Sequence, residues 1–356
     1  MSDPIGLDRC SLNGLAIADR RGFNSMRFFE DFPVGFRQTY GETTVEAEAI
    51  LAFARVYDPQ PMHLDANSMQ ARMVGGLIAS GWHICSLNMR LMADGFLLSA
   101  RNGLGAPGVH RVDWRAPIRP GDRVTGAFEV IGKRASRSKP DRGFVNLRIS
   151  LARPDGSIPF EQENLVMFRR RDAMAPIPAP EGVDAPPRTA EHLTPHQGDN
   201  PPLGQLKTLL PGETRRYGTY HFSADAIRTF AQAFDPQEFH LDDMAGRTSH
   251  FGGLSASGWH IASAWMQSMI ASTRDTLRAN DRPLPRLGPS PGFRDMRWIK
   301  PVLAGDTLTY FSRFIEGRRS ATRPGWGIAK HRNYAFNQRD ELVFAFTGIV
   351  LWEAGD

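Results

Sequence analysis

The residues of this chain best suited to chemistry are two carboxylate and imidazole pairs, Asp58 with His63 and Asp235 with His240, each spaced five positions apart. In a loop, that spacing lets both side chains face one pocket and converge on a single water. One group then removes a proton as general base while the other delivers one as general acid. Downstream of each pair stand small residues, Ala79-Ser80-Gly81 and Ala256-Ser257-Gly258, each followed by Trp-His. Small residues allow a backbone or ligand to come close. A helix starting at Ser80-Gly81 or Ser257-Gly258 would turn unpaired N–H groups toward any negative charge developing on a bound oxygen.

These features occur twice because the chain repeats itself. Tyr57-Asp-Pro-Gln-Pro-Met-His63-Leu-Asp65 returns as Phe234-Asp-Pro-Gln-Glu-Phe-His240-Leu-Asp242, and Gly75-Gly-Leu-Ile-Ala-Ser-Gly-Trp-His83 as Gly252-Gly-Leu-Ser-Ala-Ser-Gly-Trp-His260, both with an offset of 177. Trp114 to Asp122 answers Trp298 to Asp306 with an offset of 184, so the second copy gains seven residues, placed in the polar stretch Arg278 to Pro283. Between the copies, 172–204 is rich in proline, which fixes its own backbone and withholds a donor, and reads as an extended linker. The expected organisation is a tail at 1–24, domains at 25–171 and 205–354, and that linker.

The elements that must position the pairs can be read in outline. Each copy opens with an amphipathic helix, capped by Thr44 or Ser223, with Ile50 and Phe53, or Ile227 and Phe230, at helical spacing. The Asp-Pro that follows ends it, leaving Asp58 and Asp235 where helix breaks into loop. Ser80 to Phe96 is apolar on more than one face and reads as a buried helix. Strands are expected from Val109, Arg123, Phe144 and Leu165 onward in the first copy, and from Gly292, Thr307, Ile328 and Leu342 in the second. A helix wrapped by a strongly bent antiparallel sheet, an α+β arrangement, satisfies this order.

Composition narrows the function classes. A hydrophobic fraction of 41% and a charged fraction of 23% are those of a globular protein, and a net charge of +5, scattered through the chain, argues against nucleic-acid binding. Cys10 and Cys85 are too few for a disulfide framework, so a cytoplasmic setting is expected. No segment has the length of a membrane span. His63 and Asp65 have metal-ligating side chains, but no further spaced cluster joins them, and no metal is expected. His83 and His260, one turn into a buried helix, read as core histidines rather than catalysts.

At these motifs the chain resembles the MaoC-like dehydratases, the family of R-specific enoyl-CoA hydratases, with their Asp-x-Asn-Pro-x-His loop before a glycine-led central helix. Asp58, Pro61 and His63 match that loop, with Gln60 in place of Asn; Asp235 and His240 match it with Glu238 in place of proline. The resemblance implies two tandem hot-dog domains, each a bent sheet around a central helix, paired as a double hot-dog. It also implies that Asp58, His63, Asp235 and His240 are catalytic and that Gly81 and Gly258 serve the thioester carbonyl. A serine that some members carry along the central helix has no counterpart, Met89 and Met266 standing at its place.

The expected activity is reversible hydration of an enoyl-CoA, with water as co-substrate and no cofactor. Alternatives are a branched or dicarboxylic acyl-CoA such as mesaconyl-CoA, which would want cations such as Arg111, Arg115 or Arg294 at the acyl end, a thioesterase, and a non-catalytic acyl-thioester binder. Cations in one loop, Arg134, Arg137 and Lys139, answered by Arg319 and Arg323, could meet CoA phosphates. The expected partners are the acyl-CoA and, as a homodimer, a second copy of the chain.

Overall fold

The structure, a computed structural model, describes residues 27–98, 102–183, 192–279 and 285–355. The tail at 1–24, Cys10, residues 184–191 of the linker and 280–284 of the expected insertion lie outside the described residues.

Both halves contribute to one antiparallel sheet. In the first half lie β1 (Arg37–Thr44), β2 (Gly108–Trp114), β3 (Arg123–Ala135), β4 (Arg142–Ala152) and β5 (Phe160–Arg169); the two-residue β6 (Glu181–Gly182) adds to β3. The second half supplies β7 (Thr214–His221), β8 (Gly292–Trp298), β9 (Thr307–Arg319), β10 (Trp326–Phe336) and β11 (Leu342–Glu353). Their spatial order, β1-β3-β4-β5-β2-β8-β11-β10-β9-β7, is the same series run outward from a central seam. At the seam β2 and β8 pair antiparallel, Val112 opposite Phe293 and Val109 opposite Met296. Glycine at 108 and 292 makes the approach feasible: a Cβ at either would collide with a carbonyl oxygen across the seam, of Met296 or of Val112.

The helices sit inside the curve. The first half has α1 (Ala47–Tyr57), α2 (Pro61–Leu64), α3 (Met69–Met73) and α4 (Gly81–Met92), the last extended by a π-helical turn over Ala93–Leu97. The second has α5 (Ala224–Phe234), α6 (Glu238–Leu241), α7 (Asp243–Thr248) and the 22-residue α8 (Gly258–Ala279). A sheet wrapped around α4 and α8 is the hot-dog arrangement, doubled. Among the described residues, no helix is long and apolar enough to cross a membrane.

Several local expectations are corrected. Ahead of the amphipathic helix each half places a single 3-10 turn, Phe29–Asp31 or Leu206–Thr208, and an edge strand: β1 and β7 are mostly polar, carry a mid-strand glycine and pair on one side only, so no apolar alternation marks them. Ser223 does cap α5, accepting from Ala226 N–H at 3.1 Å, but Thr44 ends β1, and Glu46 precedes α1 without a side-chain cap. The described parts of the proline-rich stretch are largely exposed and touch the body of the protein in places. Glu181 and Gly182 pair with Lys133 and Gly132, and Leu193 is buried against Phe311 and Tyr334.

The interiors beneath the two central helices differ. Under α4 the space is filled by Phe32, Phe96, Phe128 and Phe168, with Phe32 and Phe168 centroids 4.5 Å apart and Phe96 and Phe128 5.0 Å apart. At the positions 177 or 184 further on, Thr273 replaces Phe96, Ser312 replaces Phe128 and Asn333 replaces Ile149. The space under α8 is correspondingly open.

Candidate active site

Asp58 closes α1, its N–H bonded to the Ala54 carbonyl, and the Pro59 that follows prevents helix continuation. Pro61, at the first position of α2, suits a helix start and places His63 on the facing turn. Asp58 is 1% exposed and His63 5%. The Ser80 hydroxyl donates to Asp58 Oδ2 at 2.6 Å and the Gln60 amide donates to Oδ1 at 2.8 Å. Ser80 also caps α4 by accepting from Trp82 N–H at 3.2 Å, so a single side chain ties the carboxylate to the helix start. This arrangement supplies the support that the absent helix serine would give; Met89 is core, and Met266 lines the cavity described below.

His63 Nδ1 lies 2.9 Å from the Ile78 carbonyl oxygen. A carbonyl only accepts, so Nδ1 carries the hydrogen and neutral His63 keeps its lone pair on Nε2. Nε2 is 3.5 Å from Asp58 Oδ2, and both residues line one cavity with Gly81. Gly81 is required there, since a Cβ would penetrate the Trp114 ring.

The second pair repeats this geometry. Ser257 donates to Asp235 Oδ2 at 2.6 Å, Gln237 to Oδ1 at 2.8 Å, His240 Nε2 is 3.4 Å from Oδ2, and Nδ1 is 2.7 Å from the Ser255 carbonyl oxygen. Burial pushes the Asp235 pKa up, but His240, Ser257 and Gln237 together overcome it and hold the carboxyl below its ordinary range. Glu238, in place of proline, does not disturb the turn. A Cβ at Gly258 would strike the Trp298 ring as its counterpart would strike Trp114.

The first pair opens on a cavity of about 570 Å³, whose lining does not include Asp235 or His240. It starts at Asp58, His63 and Gly81, passes Trp82 and Phe293, and runs beneath α8 past Trp265, Met269, Ser312 and Asn333. The first site thus takes its Asp/His pair from one half and its room from the other. The mirror-image space for Asp235 and His240 would lie under α4, where Phe96 and Phe128 stand. Above the second pair, Phe239 packs on His240 (centroids 4.5 Å) and on Phe251 (5.0 Å), which in turn reaches Gly105; the equivalent Met62 and Val74 line the open cavity instead.

Other candidates fall away from the cavity. Arg134 lies over the Phe144 ring, and Arg134, Arg137 and Lys139 belong to the β3–β4 hairpin, outside the cavity lining. Lys139 lies instead near His250, whose pKa is lowered by burial and then by Arg142, Lys139 and Arg169. Arg319 donates to the Gly355 carbonyl at 2.6 Å, whereas exposed Arg323 lines the cavity rim. Arg111 bonds Asp113, Glu161 and Glu163, and Arg294 bonds Asp113, and neither lines the cavity; Arg115 lines the rim, paired with Glu161 at 2.8 Å.

His83 and His260 are core residues. They stack on Phe53 (4.9 Å) and Phe230 (4.7 Å), and burial, with His63 or His240 nearby, pushes each pKa down to about 3. His260 Nε2 lies 3.1 Å from the Tyr220 hydroxyl, while Nδ1 of both rings has no partner. The sequence reading missed Gln60 and Gln237 as carboxylate donors, although both stand in the repeated motif. It also missed the cavity residues Trp265, Ser312 and Asn333, which only a comparison of the two copies singles out.

Residues 33–148 match the family described as MaoC like domain. Over 142 residues the chain is 24% identical to the uncharacterised protein YdeM of Bacillus subtilis (strain 168), 40% of this chain and 98% of that one. A solved structure described as a MaoC domain protein dehydratase from Chloroflexus aurantiacus J-10-fl is similar over 94% of this chain and 99% of its own, with TM-score 0.74 and 19% identity. A Mycobacterium tuberculosis protein described as having a double hot-dog fold is similar over 92% of this chain and 98% of its own, with TM-score 0.66 and 15% identity. At these identities the structural likenesses speak to the fold, whose double hot-dog character they share.

Proposed function

Because the chain belongs to the MaoC-like family, with that domain in its first half and a double hot-dog fold throughout, we propose that it interconverts a trans-2-enoyl-CoA and the R-3-hydroxyacyl-CoA at Asp58 and His63. The observation that carries this reading is that a buried acid–base pair, its imidazole lone pair fixed on Nε2, stands at one end of a largely apolar cavity beside the start of α4.

Water held between Asp58 Oδ2 and His63 Nε2 would add its oxygen to C3 of the enoyl thioester. The pair takes up the proton that leaves and returns one to C2, so one water is consumed and the pair is restored. We assign the proton to the couple rather than to one member. Negative charge passing to the thioester oxygen is met by the N–H groups at the start of α4, at Gly81. Ser80 and Gln60 hold the carboxylate for this work, and Arg323 at the rim is placed for a CoA phosphate. Water is the only co-substrate required.

The test is hydration of crotonyl-CoA and of longer and branched enoyl-CoAs, followed by loss of the conjugated thioester absorbance. Asp58→Asn should lower turnover by about 10²- to 10⁴-fold, the usual share of a positioned acid–base group. Asp235→Asn should leave it nearly intact. Release of free CoA in place of hydroxyacyl-CoA would make the protein a thioesterase, and loss of turnover through Asp235 rather than Asp58 would overturn the assignment of the site.

A further inference from the structure

The part of the cavity beneath α8 occupies positions that under α4 are filled by core side chains. An alkyl tail would need only apolar walls there, yet several of the walls are polar. On adjacent strands β9, β10 and β11, Ser312, Asn333 and Phe346 stand opposite one another in one row facing the cavity. Gly348 on β11 leaves the space that the Asn333 amide fills.

Two of these polar groups have no partner. Asn333 is 3% exposed; its amide N–H reaches the His331 carbonyl at 3.4 Å, which leaves Oδ1 unsatisfied. Trp265 on α8, 8% exposed, has an indole N–H with no acceptor. In the first half, the residues equivalent to Tyr217 and Trp265 are Tyr40 and Asn88, which bond each other at 2.5 Å. In the second half the Tyr217 hydroxyl lies near Ser312 instead, and Trp265 Nε1 and Asn333 Oδ1 are left without partners. The fold does not demand this polarity, since Phe128 and Ile149 occupy the places of Ser312 and Asn333 in the other copy. Buried donors and acceptors left unpaired are unfavourable, so a ligand that pairs them gains affinity.

Resting on the acyl-thioester reading above, we infer that the interior of this cavity receives an acyl group bearing a hydroxyl, which donates to Asn333 Oδ1 and accepts from the Trp265 indole. A group that both donates and accepts matches one unpaired acceptor and one unpaired donor. A carboxylate matches less well: it cannot donate to Oδ1, and the cations lining the cavity, Arg115 and Arg323, are exposed at its rim. His331, also on the wall, is kept neutral by burial, its pKa pushed down to about 4.

The experiment measures binding, so it is independent of turnover. Saturated acyl-CoAs of increasing length, each beside its terminally hydroxylated derivative, are titrated calorimetrically into the full chain and into Asn333→Leu and the milder Ser312→Ala. At one chain length the hydroxylated ligand should bind about tenfold tighter than the plain one, the worth of one well-made buried hydrogen bond. Asn333→Leu should erase that preference and Ser312→Ala should reduce it. Equal or tighter binding of plain chains at every length overturns the inference while leaving the acyl-thioester reading intact. Loss of acetyl-CoA affinity in Asn333→Leu equal to that of the hydroxylated chain would assign these groups to the carrier and also overturn it. Failure of every acyl-CoA to bind would remove both readings.

Discussion

Asp58 with His63 and Asp235 with His240 are nearly superimposable in their hydrogen bonding, down to the serine, the glutamine and the backbone carbonyl that hold each pair. One pair opens on a cavity of about 570 Å³ and the other is covered by Phe239 and Phe251. The Asp/His motif and the cavity beside it are therefore separate properties of this fold. The motif lies within one half, whereas the room beside it is decided by the core of the opposite half. Phe96 and Phe128 fill one core; Thr273 and Ser312 leave the other hollow.

The contrast between the two cores carries the largest expected stability effect. Phe96 is fully buried among Phe32, Phe128 and Phe168, so Phe96→Ala should destabilise the protein by about 3–5 kcal/mol through lost burial and a residual cavity. Thr273 lines space that is already open, and Thr273→Ala should cost less than about 1 kcal/mol. Denaturant midpoints of the two variants measure this; equal losses would mean that the second core is as tightly packed as the first.

The covered pair offers the next effect. Asp235 accepts from Ser257 and Gln237 and faces His240, all within the protein. Asp235→Ala leaves those buried groups without their partner and should cost about 1–3 kcal/mol of stability with little change in hydration rate. Asp58→Ala should show a similar loss of stability and also abolish turnover. A stability loss confined to Asp58→Ala would break the comparison, because the second pair would then hold nothing in place.

Much of this was legible in the sequence, for identifiable reasons. The paired motifs survive as strings because each residue in them acts locally. Proline stops a helix, serine caps the next, and glycine clears a tryptophan ring. The strands flanking the seam carry enough buried apolar residues to be recognised. The edge strands β1 and β7 were not legible, since a polar strand with one neighbour lacks the alternation that burial on one face imposes. Nor was the hollow. Thr273, Ser312 and Asn333 read individually as ordinary helix and strand residues, and only the register that sets each against a phenylalanine or isoleucine of the first half shows what has been removed. The cations of the β3–β4 hairpin lie outside the cavity lining, and Lys139 is close enough to His250 of the other half to lower its pKa.

His83 and His260 give the smallest effect and test whether any part of the shared geometry is chemical. They occupy the same place in both halves, including the half whose pair is outside the cavity lining, so their role belongs to the packing of α4 and α8 on Phe53 and Phe230. Burial, with a neighbouring histidine, lowers each pKa to about 3. A histidine that stays neutral when folded but titrates near 6.5 when unfolded stabilises the protein fully above about pH 6.5, and that contribution is lost as pH falls toward 3. Each histidine should therefore add about 1.4 kcal/mol per pH unit to the acid loss of stability in that window. Asp235, with its lowered pKa, adds its own loss only below about pH 4, where an unfolded aspartate takes up its proton. His83→Phe, which keeps a ring against Phe53, should flatten the dependence between pH 6 and pH 5 by about 1.4 kcal/mol, read from urea midpoints. If that variant instead stopped hydration and left the pH slope unchanged, His83 would belong to the chemistry of the open site, and the two halves would differ in more than the room beneath their helices.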